Sequence, residues 1–213
     1  IIMLKKFYIF FILFFSFSLF CHESKFVVLI CSYNNDKWVE KNILSALNQK
    51  YKNFRIIYVN DASKDTTLNK VLQVVSTHPN KDRVEIIDNK FNKGALQNIY
   101  TTIHSQIEDD EIVCLLDGDD FFINEKVLVF LNKVYQSPKM KCWMTYGQYK
   151  GTISGSIGHC RNYSRKNEFR DQPFLCSHLR TFYAWLFKMI DEADLKDDSR
   201  FFDVAWDVAI MLP

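Results

Sequence analysis

Among 213 residues there are only six glycines and four prolines, too few for a collagen-like, low-complexity or linker-rich chain. Neither sign of charge is in excess. The 27 basic and 25 acidic residues leave a net charge of +2, so the chain has no polyelectrolyte character and bulk electrostatics gives no support to nucleic-acid binding. The six cysteines, at positions 21, 31, 114, 142, 160 and 176, form no CxxC pair and no Cys/His ladder, which argues against a structural zinc site. Cys31 and Cys114 lie in strand-like apolar runs and read as buried thiols. No uninterrupted apolar run reaches the roughly 20 residues of a comfortable membrane span. The longest is "FYIFFILFFSFSLF", residues 7–20, preceded by Lys5 and Lys6. It fits either a cleaved signal peptide or a short uncleaved anchor, and no small-x-small cleavage site before Cys21 or His22 chooses between them. Residues 1–24 are therefore set apart from one domain over 25–213, and the apolar pattern of the closing "WDVAIMLP" reads as a C-terminal truncation.

With 48% hydrophobic and 15% aromatic residues the chain can bury one sizeable core. Four β-branched runs stand out: "KFVVLIC" (25–31), "FRIIYVN" (54–60), "RVEIID" (83–88) and "EIVCLLD" (111–117). Helical stripes separate them, at Val39, Ile43 and Leu47, at Leu68, Val71, Leu72 and Val75, and at Leu96, Ile99, Ile103 and Ile107. Strands alternating with helices predict βαβ units and a mostly parallel, Rossmann-like α/β sheet flanked by helices. Beyond residue 140 the rhythm breaks: 143–151 reads as a strand, the next stretch as irregular loop, and "LRTFYAWLFKMI" (179–190) as an amphipathic helix with Phe182, Trp185, Leu186 and Met189 facing a core.

Ligands of open α/β sheets bind outside the carboxyl ends of the strands. That rule gathers "CSYNND" (31–36), "NDASKD" (60–65), "DNKFNKG" (88–94) and "DGDD" (117–120) on one rim. Asp117, Asp119 and Asp120 repel one another, and a divalent cation sharing a phosphate ligand relieves such crowding. An EF-hand is disfavoured, because Phe121 and Phe122 stand where further oxygen ligands are needed.

In order and spacing, "VVLICSYNNDKWVEKNILSALNQKYKNFRIIYVNDASKDTT", "NKGALQN" and "LLDGDD" resemble the family 2 glycosyltransferases, enzymes of the GT-A fold, over about residues 26–150. The resemblance implies that Ser32, Tyr33 and Asn34 lie near the base and ribose of a nucleotide, and that Asp61 accepts a hydrogen bond from the base. It implies that Lys93 offsets diphosphate charge and that Gly94 lets the backbone approach. Asp117 becomes a ribose or metal contact, Asp119 the principal metal ligand, and Asp120 its support. Asn60 and Ala62 replace the more usual Asp and Gly of that loop, which bears on Asn60 more than on Asp61. Asp65 reads equally as a helix cap and as a ligand contact.

The implied reaction is metal-dependent and inverting: a sugar passes from a nucleoside diphosphate, with UDP favoured and Mn2+ or Mg2+ as cofactor, to a hydroxyl on a glycan, lipid or protein acceptor. The expected base is Asp207, with Asp203 one helical turn earlier on the same face of a late helix. Arg180 is a further contact to phosphate or acceptor. Two other readings are a GT-A relic that binds nucleotide or carbohydrate without turnover, and a sugar nucleotidylyltransferase; "CSYNNDKW" lacks the glycine- and arginine-rich phosphate loop of the latter. Residues 7–20 place the chain at a membrane or in the secretory pathway, on the cytosolic face in a bacterium. In a eukaryotic lumen "NYS" at Asn162 would be a glycosylation sequon.

Overall fold

The computed structural model describes residues 23–158, 160–163 and 172–211. Residues 1–22 of the expected signal or anchor (1–24) lie outside them, as do Leu212 and Pro213.

A six-stranded sheet runs in the order β3-β2-β1-β4-β6-β5. Its parallel half is β1 (Phe26–Ser32), β2 (Phe54–Asn60), β3 (Val84–Asp88) and β4 (Ile112–Asp117). Its antiparallel half is β5 (Met144–Gly147) and β6 (Ser177–Tyr183), with β6 seated between β4 and β5. Helices α1 (Val39–Leu47), α2 (Thr67–Thr77) and α3 (Ala95–Gln106) make the crossovers, and α4 (Val127–Tyr135) follows β4. After β6 come the short α5 (Ala184–Lys188), a two-stranded ribbon of β7 (Lys196–Asp197) and β8 (Arg200–Phe201), and α6 (Trp206–Met211).

β1 and β4 are apolar up to their last residue because both faces are covered, and β2 departs from that pattern at Arg55, which pairs with Glu111. Phe26, Val28 and Ile30 of β1 pack with Val39, Ile43, Leu47, Val71 and Leu128 on one face. Val27 and Leu29 pack with Leu96, Ile99, Ile103, Phe187 and Ile210 on the other. α1, α2 and α4 therefore cover one face, and α3, α5 and α6 the other. Cys31 and Cys114 are free thiols, and burial pushes both well above the ordinary thiol range.

The structure corrects three expectations. The stretch 179–190 is a strand leading into a short helix, since pairing with β4 and β5 buries Thr181 and Phe182 and overrides the helical spacing; Met189 is exposed. Leu72, placed on the buried stripe of α2, is also exposed. Asp203 and Asp207 do not share a helix face, because α6 begins only at Trp206 and Asp203 stands in the loop before it.

Candidate active site at the carboxyl edge of the sheet

The switch of faces between α2 and α3 leaves an opening between the carboxyl ends of β1 and β4, the place where open α/β sheets bind ligands. A cavity of about 250 Å³ lies there, lined by Leu29, Cys31, Tyr33, Asn35, Ala95, Ile99, Asp117, Gly118 and Asp119. Its walls are held by side chains that bond to backbone.

Asn42, fully buried on α1, donates from Nδ2 to the Asp117 carbonyl at 2.9 Å and to the Asp120 carbonyl at 2.7 Å. Asp120 N–H also closes onto the Asp117 carbonyl at 3.0 Å, and Ser45 Oγ accepts from Phe122 N–H at 3.0 Å. The acidic turn is thus clamped from beneath. Gly118 permits its approach to β1: a methyl group there would lie 2.6 Å from both Ser32 Oγ and Asn35 Nδ2.

The first two loops are stitched together. Asn34, in the left-handed region at φ 53°, accepts at Oδ1 from Lys64 N–H at 2.8 Å, and its own N–H donates to Ser63 Oγ at 3.0 Å. Ser32 Oγ accepts from Asn35 Nδ2 at 3.2 Å. Asp65 accepts from Thr67 N–H at 2.9 Å in the first turn of α2 and from Asp36 N–H at 3.1 Å, so its carboxylate acts as a local cap. Tyr33 remains exposed at the cavity mouth.

Asp61 is buried and its two oxygens are occupied by the chain. Oδ1 accepts from Lys93 N–H and Asn89 Nδ2, and Oδ2 from Gly94 N–H, each at 2.9 Å. The carboxylate therefore shapes the 89–94 segment, and any contact with a base would be additional to that work. Gly94, at φ 83°, supplies the turn into α3 that an L side chain would resist. The Lys93 ammonium lies 5.9 Å from the Phe91 ring. Asn60 donates to Asp88 at 2.7 Å and leaves its own Oδ1 buried and unpartnered among the described residues.

At the mouth, Asp117, Asp120 and His178 bring their ligand atoms within 4.8 Å of one another. His178 Nδ1 stands 3.6 Å from an oxygen of each carboxylate. Burial pushes both carboxyls above their ordinary range, while His178 and Arg180 pull in the opposite sense. Two carboxylate oxygens and an imidazole nitrogen suit a divalent ion such as manganese. Asp119 lines the cavity but is exposed and stands outside this trio.

Arg180, buried on β6, joins the trio to the last helix. Its Nη1 lies 3.4 Å from His178 Nδ1, its Nη2 donates to Asp207 Oδ2 at 2.7 Å, and its Nε donates to the Cys176 carbonyl at 3.2 Å. Asp207 Oδ1 accepts from Val208 N–H at 3.0 Å. Asp203 sits elsewhere, with Oδ1 near the open face of Gly94.

His178, Asn42 and Gly147 were not legible as site residues. His178 and Arg180 are two apart on one strand and so share a face, a pattern hidden once 179–190 is taken for a helix. Gly147 matters through proximity, since a methyl group there would fall 2.8 Å from the His178 carbonyl.

Glycosyl transferase family 2 matches residues 27–195, most of the chain and all of the site described above except Asp203 and Asp207. The chain belongs to glycosyl transferase family 2. Relatives of this family 2 chain include an uncharacterized glycosyltransferase of Haemophilus influenzae, 30% identical over 109 residues, which are 50% of this chain and 32% of the relative. The Escherichia coli UDP-Glc:alpha-D-GlcNAc-diphosphoundecaprenol beta-1,3-glucosyltransferase WfgD is 26% identical over 130 residues, 61% of this chain and 47% of the relative. The chain thus spans a third to a half of the length of these relatives. Among solved structures, S. aureus TarS 1-349 in complex with UDP is similar at a TM-score of 0.63 and 19% identity, over 86% of this chain and 52% of that one. The mannosyltransferase PcManGT of Pyrobaculum calidifontis, in complex with GDP-Man and Mn2+, is similar at a TM-score of 0.57 and 18% identity, over 77% and 46%. At these identities the structural likeness establishes the fold.

Proposed function

We propose that this family 2 domain transfers a sugar, with inversion, from a nucleoside-diphosphate sugar to an acceptor hydroxyl, and that UDP is the nucleotide of the donor. One observation carries the reading: three convergent metal-type ligands, Asp117, Asp120 and His178, stand at the mouth of the cavity at the switch point. UDP in the TarS complex and UDP-Glc as the named donor of WfgD favour that nucleotide. Asp117, Asp120 and His178 would hold a divalent cation, Mn2+ by preference over Mg2+, with Asp119 reaching it from the exposed side. Bound there, the cation would neutralise the diphosphate leaving group.

The chain's own residues divide the remaining work. Tyr33 offers a stacking face and a hydroxyl at the mouth, with Ser32 and Asn34 fixing its loop. The 89–94 segment held by Asp61 presents Lys93 toward the diphosphate. Arg180 keeps Asp207 and His178 in register, and Asp207 takes the proton of the acceptor hydroxyl. The acceptor is a glycan, lipid or protein hydroxyl, and the named acceptor of WfgD favours a lipid-linked glycan.

Calorimetric titration of UDP with and without Mn2+ tests this. We expect binding that requires the cation in the parent and is lost in Asp120→Ala and His178→Ala. Undiminished manganese-dependent binding in both variants would remove the trio from the site, and retention in Asp119→Ala would confine that residue to a supporting role.

A further inference from the structure

We propose that the outer face of α4 is a docking surface for an anionic lipid bilayer, which holds the mouth of the site close to the membrane. The sequence of α4, "VLVFLNKVY", is apolar on more than one side. Leu128, Leu131 and Tyr135 are buried against the sheet, yet Phe130 is 65% exposed and Ile123, just before the helix, 77% exposed. A groove of about 590 Å³ with Val127 at its floor separates them. Phe130 and Lys133 share a face of α4, and Ile123 and Lys126, in the turn that leads into the helix, line the same groove as Phe130, so exposed apolar and basic side chains alternate along 123–133. No acidic residue lies within α4, and Glu125 beside it is paired with Lys50. Large apolar side chains interleaved with lysines are the chemistry of an interfacial membrane contact.

Three further observations favour this occupant. The chain enters the domain on this helix: Ser24 N–H donates to Asn132 Oδ1 at 3.0 Å and Ser24 Oγ accepts from Gln136 Nε2 at 2.9 Å. Only residues 21–23 separate that point from the apolar run 7–20, so a bilayer holding the run lies within reach of α4. No described helix is long and apolar enough to cross a membrane, so the contact is one of surface and not of span. The loop 121–126 links the acidic turn directly to the patch, and Lys41 lies 3.7 Å over the Phe121 ring within it. Occupation by residues 7–20 themselves would leave Lys126 and Lys133 facing an uncharged segment. A two-fold pairing of α4 with a second copy would set like charges together. An anionic surface satisfies both the apolar and the basic residues.

The test uses the full chain with vesicles of phosphatidylglycerol and phosphatidylcholine, against pure phosphatidylcholine, followed by co-sedimentation and hydrogen exchange. Amides of 121–127 should exchange more slowly on the anionic vesicles. Ile123→Ser with Phe130→Ser should weaken vesicle binding on the order of tenfold or more, and Lys126→Glu with Lys133→Glu should abolish the preference for anionic lipid. Both pairs are exposed, so an unchanged melting temperature separates lost docking from lost fold. The proposal is overturned if the chain binds vesicles through residues 7–20 while exchange at 121–127 and the affinity of both double variants stay as in the parent. Protection of 121–127 without lipid would also overturn it, assigning the face to residues 7–20 when independent of protein concentration and to a second copy when dependent on it. Slowed exchange around Trp143 and Trp185 instead would turn the opposite edge of the sheet to the bilayer.

Discussion

Asp117 and Asp120 stand where burial already disfavours charge, and neighbouring carboxylates add to it, Asp120 and Asp119 at Asp117 and Asp119 at Asp120. Their folded pKa values lie above the unfolded carboxylate value. The stability linked to them is therefore complete below that unfolded value and is lost as pH rises through the folded ones. At neutral pH without a cation the cluster is a net burden on the fold. We predict that Asp120→Asn raises the melting temperature in chelator while removing the further rise that Mn2+ gives the parent; a lower melting temperature in chelator would mean the carboxylate is held by contacts that outweigh the crowding. Asp61 makes the opposite case. Its oxygens take the N–H groups of Lys93 and Gly94 and the amide of Asn89, so Asp61→Ala should cost about 1–3 kcal/mol of stability for the buried donors left unpaired. Urea unfolding reads that loss directly. Unchanged stability with weakened UDP affinity would restore a purely ligand-reading role.

At the scale of elements, the parallel half of the sheet could be read from the chain and the antiparallel half could not. Phe26–Ser32, Phe54–Asn60, Val84–Asp88 and Ile112–Asp117 lie within a residue of the β-branched runs, because the three inner strands are covered on both faces and largely apolar, while the edge strand Val84–Asp88 still packs Val84, Ile86 and Ile87 against the core between polar loops. Ser177–Tyr183 is different: His178 and Arg180 point toward the site while Phe182 packs inside. Its polar members serve the site and blur the period on which a strand assignment rests. The acidic turn could be found for the same reason that His178 could not, since three carboxylates in four residues are local and a histidine some sixty positions later is not. β6 also holds α6 in place, through the Arg180–Asp207 bond and the Arg180 guanidinium 5.7 Å from the Trp206 ring. As a base, Asp207 should tolerate Asn for binding but lose turnover by roughly 10²–10⁴-fold. As a mere clamp, it should tolerate Asn for both, since the amide oxygen still accepts from Arg180. Steady-state kinetics on Asp207→Asn and Asp203→Asn separate the two. Full activity in Asp207→Asn moves the base off α6, and loss in Asp203→Asn alone moves it to the loop facing Gly94.

For the whole molecule, the decisive feature is that the site belongs to no single element. β1 and β4 supply the cavity floor, α1 the Asn42 clamp, β6 the histidine and arginine, and α6 the aspartate, so a ligand bridging them couples both faces of the sheet. Occupancy should then act on global stability and not only on a loop. UDP and Mn2+ together, at concentrations about a hundredfold above their dissociation constants, should add about 2.7 kcal/mol to the free energy of unfolding. For a chain of this size that corresponds to a rise of about 5–10 °C in melting temperature. Either ligand alone should give much less, because the carboxylates repel a bare diphosphate and the trio holds a bare cation weakly. The coupling must also be reciprocal: the factor by which Mn2+ tightens UDP equals that by which UDP tightens Mn2+. Differential scanning calorimetry of the four combinations measures it. Additive shifts, or UDP alone as effective as UDP with Mn2+, would show that the nucleotide binds away from Asp117, Asp120 and His178 and would separate the cavity from the cation.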